Sequence, residues 1–163
     1  MARMTFVGGV HPYDGKELSK AKRIRDYEPV GDMVYPLSQH IGAPAKALVK
    51  KGDRVLVGQM IAEAGGFVSA PICSTVSGTV KAIEKHRVVT GEEKESIIIE
   101  NDGLFEEIDW PEVPDFESLT REDKIKMIAD AGIIGMGGAG FPTAVKLQPK
   151  EPDQIDYIIV NCA

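Results

Sequence analysis

The stretch Val49-Lys50-Lys51-Gly52-Asp53-Arg54-Val55-Leu56-Val57-Gly58-Gln59-Met60-Ile61-Ala62 decides the fold class. Its apolar runs are short, and they are broken at Gly52-Asp53 and again at Gly58-Gln59 by residues that favour turns. Working outward, Gly65-Gly66 marks a third turn, followed by Phe67-Val68-Ser69-Ala70-Pro71. In Val76-Ser77-Gly78-Thr79-Val80-Lys81-Ala82-Ile83 a turn is followed by alternating apolar positions, and Ser96-Ile97-Ile98-Ile99-Glu100 is a β-branched run ending at Asn101-Asp102-Gly103. Upstream, Met33-Val34-Tyr35 runs into Pro36, and Ser38-Gln39-His40-Ile41-Gly42-Ala43-Pro44 reads as a loop. Many short strands at close, regular spacing predict a compact all-β sandwich or barrel over residues 33–103.

The flanks differ in texture. Residues 1–32 are a lead-in with turn signals at Gly8-Gly9, His11-Pro12 and Asp14-Gly15, and a basic cluster of Lys16, Lys20, Lys22, Arg23 and Arg25. The cluster reads as a solvated extended arm, with a contact for an acidic partner subunit as the alternative. Residues 104–118 are acidic, and Trp110-Pro111 and Val113-Pro114-Asp115 disfavour regular structure, so they read as a linker. From residue 119 the pattern turns helical. Thr120 is placed to cap a helix, with Asp123 three residues on and Glu122 suiting the dipole. Ile125, Ile128 and Ala129 fall on one inward face, and Gly132 ends the helix. A short helical segment is expected through Ala144-Val145-Lys146-Leu147, stopped by Pro149. Ile155-Asp156-Tyr157-Ile158-Ile159-Val160 is expected as a buried parallel strand, with Asn161-Cys162-Ala163 at its carboxyl end, where open α/β sheets place ligands.

Composition removes several classes of function. The 163 residues are 43% hydrophobic and 27% charged, ordinary for a soluble globular protein, and the net charge of −6 argues against nucleic-acid binding. No apolar run approaches the roughly 20 residues that span a bilayer, and no signal-peptide core follows the first residues, so a cytoplasmic location without a direct membrane span is expected. Cys73 and Cys162 form no pair at metal spacing and read as structural thiols. His11, His40 and His86 are far apart and read as satisfied or exposed, so neither a metal site nor a catalytic nucleophile–base set is expected.

The segment with chemical content is Gly135-Met136-Gly137-Gly138-Ala139-Gly140-Phe141-Pro142-Thr143, with Lys146 shortly after it. Four glycines in six positions bare the backbone, so N–H groups can approach a ligand and positive φ angles are open. Pro142 suits the first turn of a following helix, and a bare loop at a helix N-terminus suits a phosphate. Gly135-x-Gly137-x-x-Gly140 satisfies the dinucleotide pattern by letter, but a helix ending at Gly132 precedes it where a long strand is needed. A P-loop is excluded, because no Gly-Lys-Ser/Thr follows at the required spacing. A tight interdomain turn is the plain alternative.

Two resemblances follow. Val49-Lys50-x-Gly52-Asp53-x-Val55-x-x-Gly58-Gln59-x-Ile61-Ala62, with Ala70-Pro71 and Val76-Ser77-Gly78-Thr79-Val80, resembles a biotinyl/lipoyl-type barrel-sandwich hybrid. The hairpin tip that carries a modified lysine in such carriers reads Gly65-Gly66-Phe67-Val68 here, and no lysine lies between Lys51 and Lys81, so a swinging-arm role is disfavoured. The string Gly135-Met136-Gly137-Gly138-Ala139-Gly140-Phe141-Pro142-Thr143-x-x-Lys146 resembles the flavin-binding signature of the NADH-oxidising flavoprotein subunit of respiratory complex I, with Met136 where that family usually has arginine. Together with Gly8-Gly9-Val10-His11-Pro12 and Pro36-Leu37-Ser38-Gln39-His40-Ile41-Gly42-Ala43-Pro44, the whole is similar to the RnfC family, whose members belong to the Rnf ferredoxin:NAD+ oxidoreductase complex.

The resemblance implies a mixed α and β fold, a barrel-sandwich hybrid followed by the start of an α/β flavin/NADH-binding domain over residues 119–163. It implies that Gly135, Gly137 and Gly138 line an FMN and nucleotide pocket, that Ala139 and Phe141 lie along NAD(H), and that Lys146 pairs with phosphate. Asn161 matches the start of a strand-end motif that touches the flavin. It also implies other Rnf subunits as partners, ferredoxin as an indirect one, and a peripheral place on the inner face of the cell membrane. The chain reads as an amino-terminal piece, with 4Fe-4S clusters expected only in the missing carboxy-terminal part. The alternatives are the related cobalamin reductase of propanediol-using microcompartments and a non-catalytic docking module.

Overall fold

A computed structural model of the chain describes Tyr13, residues 15–112 and residues 114–159. Gly8, Gly9, His11, Val113, Val160, Asn161 and Cys162, all weighed above, lie outside the described residues. The strands are β1 Asp32–Pro36, β2 Lys46–Ala47, β3 Arg54–Val55, β4 Met60–Glu63, β5 Ile72–Cys73, β6 Gly78–Arg87 and β7 Glu93–Asn101. The α-helices are α1 Arg121–Asp130 and α2 Thr143–Lys146. The strands form two antiparallel sheets, one ordered β1-β7-β6-β3 and the other β2-β4-β5.

The turns sit where the sequence placed them. Gly52 takes φ +93° while the Asp53 carboxylate accepts the Lys50 N–H at 2.9 Å, and Gly58 takes φ +84° while the Gln59 side chain accepts the Leu56 N–H at 3.0 Å. Each turn carries the chain from one sheet to the other between strands too short to be stable alone, so the sheets depend on the core between them. That core contains Val55, Ile61, Val76, Val80, Ile97 and Ile99, all at most 1% exposed. Each such side chain contributes about 1.5–3 kcal/mol by leaving water. Tyr35 joins them with its hydroxyl bonded to Thr75, at 2.8 Å to the side chain and 3.1 Å to the N–H. Register shifts between Val80 and Ala82 and between Met60 and Ala62 interrupt both sheets, and such bulges increase strand bend and twist.

Before β1 the chain makes a 3-10 turn at Lys16–Leu18, and its residues through Glu28 are exposed, in keeping with a solvated arm. After β7, the residues expected to be a linker hold to the barrel. The Arg54 guanidinium bridges Asp102 at 2.7 Å and Glu106 at 2.6 Å, and Val57 exchanges backbone bonds with Glu106 and Ile108. The Ser77 hydroxyl and the Leu104 N–H, assisted by Arg54, hold the Asp102 carboxyl down to about 2. Trp110 lies over Gly58 and donates its indole N–H to Glu107.

Helix α1 begins as its sequence predicts. The Thr120 hydroxyl accepts the Asp123 N–H at 3.1 Å and the Asp123 carboxylate accepts the Thr120 N–H at 3.1 Å, a reciprocal capping box. It ends in a Schellman arrangement, with Gly132 at φ +66°, Gly132 N–H to Ala129 O at 3.0 Å and Ile133 N–H to Ile128 O at 3.5 Å. Ile125, Ile128 and Ala129 are half-buried, as the periodicity predicts.

The expected buried parallel strand is not formed over its described part. Residues 155–159 carry no strand, and Tyr157, Ile158 and Ile159 are 88%, 79% and 94% exposed. No described strand pairs with the segment. Among the described residues no helix is long and apolar enough to cross a membrane.

Candidate functional site

The glycine loop is a closed turn and not a strand-to-helix passage. Ile134 and Pro142 form an antiparallel bridge, the Gly135 N–H donates to Phe141 O at 2.9 Å, and the Thr143 N–H donates to Ile133 O at 3.0 Å. These bonds close the loop at its base and leave residues 136–139 as a turn. The following helix α2 is one turn long, with a fully buried Pro142 at its N-cap position instead of in its first turn. The expected phosphate site at a helix N-terminus is therefore corrected. One turn sums little dipole, which leaves the loop's own peptide N–H groups as the donors at this end.

The glycines serve different ends. Only Gly140 uses a left-handed backbone, at φ +65°. A Cβ there would stand 2.9 Å from Gln39 O and 3.2 Å from the His40 Cα, so this glycine is a point of backbone contact with the loop at residues 38–44. Beside it the Ile41 N–H donates to Ala139 O at 3.1 Å. Gly137 and Gly138 meet nothing within 4 Å and face open space. Among the described residues the N–H groups of Met136, Gly137 and Gly138 make no well-formed hydrogen bond. Met136 itself is 95% exposed.

Between this loop and the barrel lies an open groove of about 920 Å³, within the range of small-molecule sites. Gly135, Gly138 and Ala139 line it, facing Tyr35, Ser38 and His40, and the β6–β7 hairpin end at Arg87, Val88 and Thr90 lines it too. Of the expected site residues, Gly137, Phe141 and Lys146 do not line it. The Lys146 ammonium instead stands 3.1 Å from where a Gly135 Cβ would lie, and 5.9 Å from the centre of the Phe141 ring. The loop is thus edged by a cation on one side and by the groove on another. Asn161 lies outside the described residues.

Sequence reasoning did not assign the barrel a part in this site. The signal was present in Gln39-His40-Ile41-Gly42, a polar and glycine-bearing stretch between two prolines, but its partner lies a hundred residues away in the chain. Elsewhere, Cys73 is half-buried on β5, and burial pushes its thiol up, which suits a structural thiol.

Two family models match the chain. Residues 4–104 match the family described as the RnfC barrel sandwich hybrid domain, and residues 128–163 match the Nuo51 FMN-binding domain. A component of the Na(+)-translocating ferredoxin:NAD(+) oxidoreductase complex of Acetobacterium woodii is 40% identical over 162 residues, 98% of this chain and 36% of that protein. The corresponding component of the proton-translocating ferredoxin:NAD(+) oxidoreductase complex of Clostridium ljungdahlii is 40% identical over 161 residues, 98% of this chain and 35% of that protein. That of the ion-translocating oxidoreductase complex of Vibrio cholerae is 39% identical over 160 residues, 97% of this chain and 21% of that protein. The chain therefore spans about a third or less of these curated relatives. With more than half of its residues matched, and two antiparallel sheets closing on one core beneath the match, the chain belongs to the RnfC barrel sandwich hybrid domain family.

Proposed function

We propose that this chain forms part of the flavin and NAD(H) head of an ion-translocating ferredoxin:NAD+ oxidoreductase. The observation that carries the reading is the glycine loop, held against the barrel by Ile41 and Gly140 while the N–H groups of Met136, Gly137 and Gly138 stay free beside an open groove. Unbonded amides with no side chain over them are what a phosphate monoester accepts from, and Lys146 adds a positive charge at the edge. The residues present therefore fit the phosphate end of FMN. Gly135, Gly138 and Ala139 would line its place in the groove, with Gly137 alongside. Phe141, through its ring, would keep Lys146 close to the loop.

When bound, the flavin supplies the step between hydride and single-electron chemistry, and the protein supplies placement and charge. Nicotinamide nucleotide is assigned to the same groove, and Asn161 to the flavin, on the resemblance of the loop sequence. On the resemblance, 4Fe-4S clusters are assigned to a larger protein of which these residues would be a part, with the other subunits as its partners and ferredoxin as an indirect one. A peripheral place on the inner face of the membrane goes with this reading. We divide the chain into an arm over residues 1–32, the barrel over 33–103, a connector over 104–118 and part of the nucleotide-binding domain over 119–163.

Titration of the chain into FMN, followed by flavin fluorescence, tests the reading, with riboflavin as the control that lacks phosphate. Saturable quenching by FMN, weaker by at least tenfold for riboflavin, is expected, since charge-assisted bonds to phosphate are each stronger than neutral ones. Equal response to both would sink the phosphate assignment, and no response to either would sink the site.

A further inference from the structure

His40 is 8% exposed, and both of its ring nitrogens have partners. The Ala70 N–H donates to Nε2 at 3.0 Å, so Nε2 carries no hydrogen. The ring hydrogen then lies on Nδ1, which is 3.1 Å from Ile41 O and donates to it. The imidazole is neutral and locked in one tautomer. It joins two segments of the barrel that the sequence separates by thirty positions. Around it the same segments are bonded again, Ala43 N–H donating to Val68 O at 2.9 Å, and the second segment is closed on itself by Gly65 N–H donating to the Ser69 hydroxyl at 2.9 Å. The Ser69 hydroxyl itself lies 3.5 Å from His40 Nε2. A Cβ at Gly42 would strike the Val68 carbonyl, and one at Gly65 would strike the Pro44 carbonyl, so the two loops touch backbone to backbone.

The upper surface of this joint is where the glycine loop rests. Ala139 O takes the Ile41 N–H, and Gly140 packs on the His40 Cα and Gln39 O. We propose that His40 is a positioning residue for the glycine loop, its neutral imidazole fixing residues 38–44 as the seat on which Ala139 and Gly140 rest. The bearing on flavin rests on the reading given under Proposed function. The seat itself does not. In this arrangement the tip between β4 and β5, which in a swinging-arm carrier would present its lysine, is bonded to residues 40–43, the segment on which the glycine loop rests.

Amide hydrogen exchange and imidazole nitrogen shifts, measured by NMR on the whole 163-residue chain, test the proposal. In the wild type the Nε2 shift should be that of an unprotonated nitrogen and the Nδ1 shift that of a protonated one. His40→Ala should speed exchange of the Ile41 amide about tenfold or more, since the Ala70 N–H loses its acceptor. The β7 amides should keep their protection. His40→Gln, whose side-chain carbonyl can still accept from Ala70, should hold exchange at Ile41 within about threefold of wild type. FMN affinity should follow the same order, weaker by about tenfold in His40→Ala and little changed in His40→Gln.

Unchanged exchange at Ile41 in His40→Ala overturns the proposal, as does equal loosening in both variants or the opposite tautomer in the wild type. If His40→Ala loses β7 protection and so unfolds, His40→Gln and the tautomer decide. A wild type that binds no FMN but shows the exchange pattern refutes the flavin reading and leaves the seat standing.

Discussion

Replacing Gly140 by alanine puts the joint between barrel and glycine loop under direct strain. At φ +65° an alanine costs about 1–2 kcal/mol relative to glycine. Its methyl would also sit 2.9 Å from Gln39 O and 3.2 Å from the His40 Cα. Both are backbone atoms that cannot rotate away, and overpacking of that kind costs about 1–3 kcal/mol. The sum, about 2–5 kcal/mol, exceeds what one exposed-edge hydrogen bond from Ile41 to Ala139 returns, about 0.5–1.5 kcal/mol. The cheaper response is for the loop to lift off the barrel. Gly140→Ala should therefore lower the thermal midpoint modestly while exchange at the Ile41 amide rises sharply and FMN affinity falls. Gly137→Ala is the internal control, because nothing lies within 4 Å of its Cβ and its backbone is not left-handed. It should leave both stability and Ile41 exchange near wild type. Equal behaviour of the two variants would refute the docking of Gly140 on residues 39 and 40.

Two further outcomes follow from the barrel. Asp102 titrates at about 2 in the folded chain against an ordinary 3.8, so its contribution is complete above about pH 4 and is lost as the pH falls through about 2. Asp102→Asn should flatten the fall of the urea midpoint across that window, and parallel curves for variant and wild type would contradict the cause assigned. Trp110 is the sole tryptophan, and a Cβ at Gly58 would stand 2.5 Å from its ring at φ +84°. Gly58→Ala should shift the emission to the red and cost about 1–2 kcal/mol, and an unchanged spectrum would mean that the ring does not lie there.

What the sequence disclosed depended on how local the cause was. The turns at Gly52 and Gly58, the cap at Thr120 and the helix end at Gly132 have local causes, and each forms as its pattern implies. The core strands were legible because β-branched runs between turns have few alternatives. Contacts across long separations were not legible. Nothing near Gly140 announces Gln39, and nothing near Trp110 announces Gly58. Residues 155–159 show the limit from the other side. An apolar run says that a segment gains by burial, but the surface that buries it is a property of the whole fold, and no described strand offers one. The dinucleotide pattern, set aside because a helix precedes it, is met by letter alone: Gly135, Gly137 and Gly140 have the spacing while the bridge from Ile134 to Pro142 closes the loop on itself.

The central claim is that the bare loop amides take up the phosphate of a flavin nucleotide while the barrel holds the loop in place. Amide NMR shifts of the whole chain during titration with FMN test it most directly. The largest changes should fall at Met136, Gly137 and Gly138, with smaller ones at Ile41 and His40, and riboflavin should leave the three loop amides in place. Shifts confined to other surfaces, or none at the loop while FMN is bound, would contradict it.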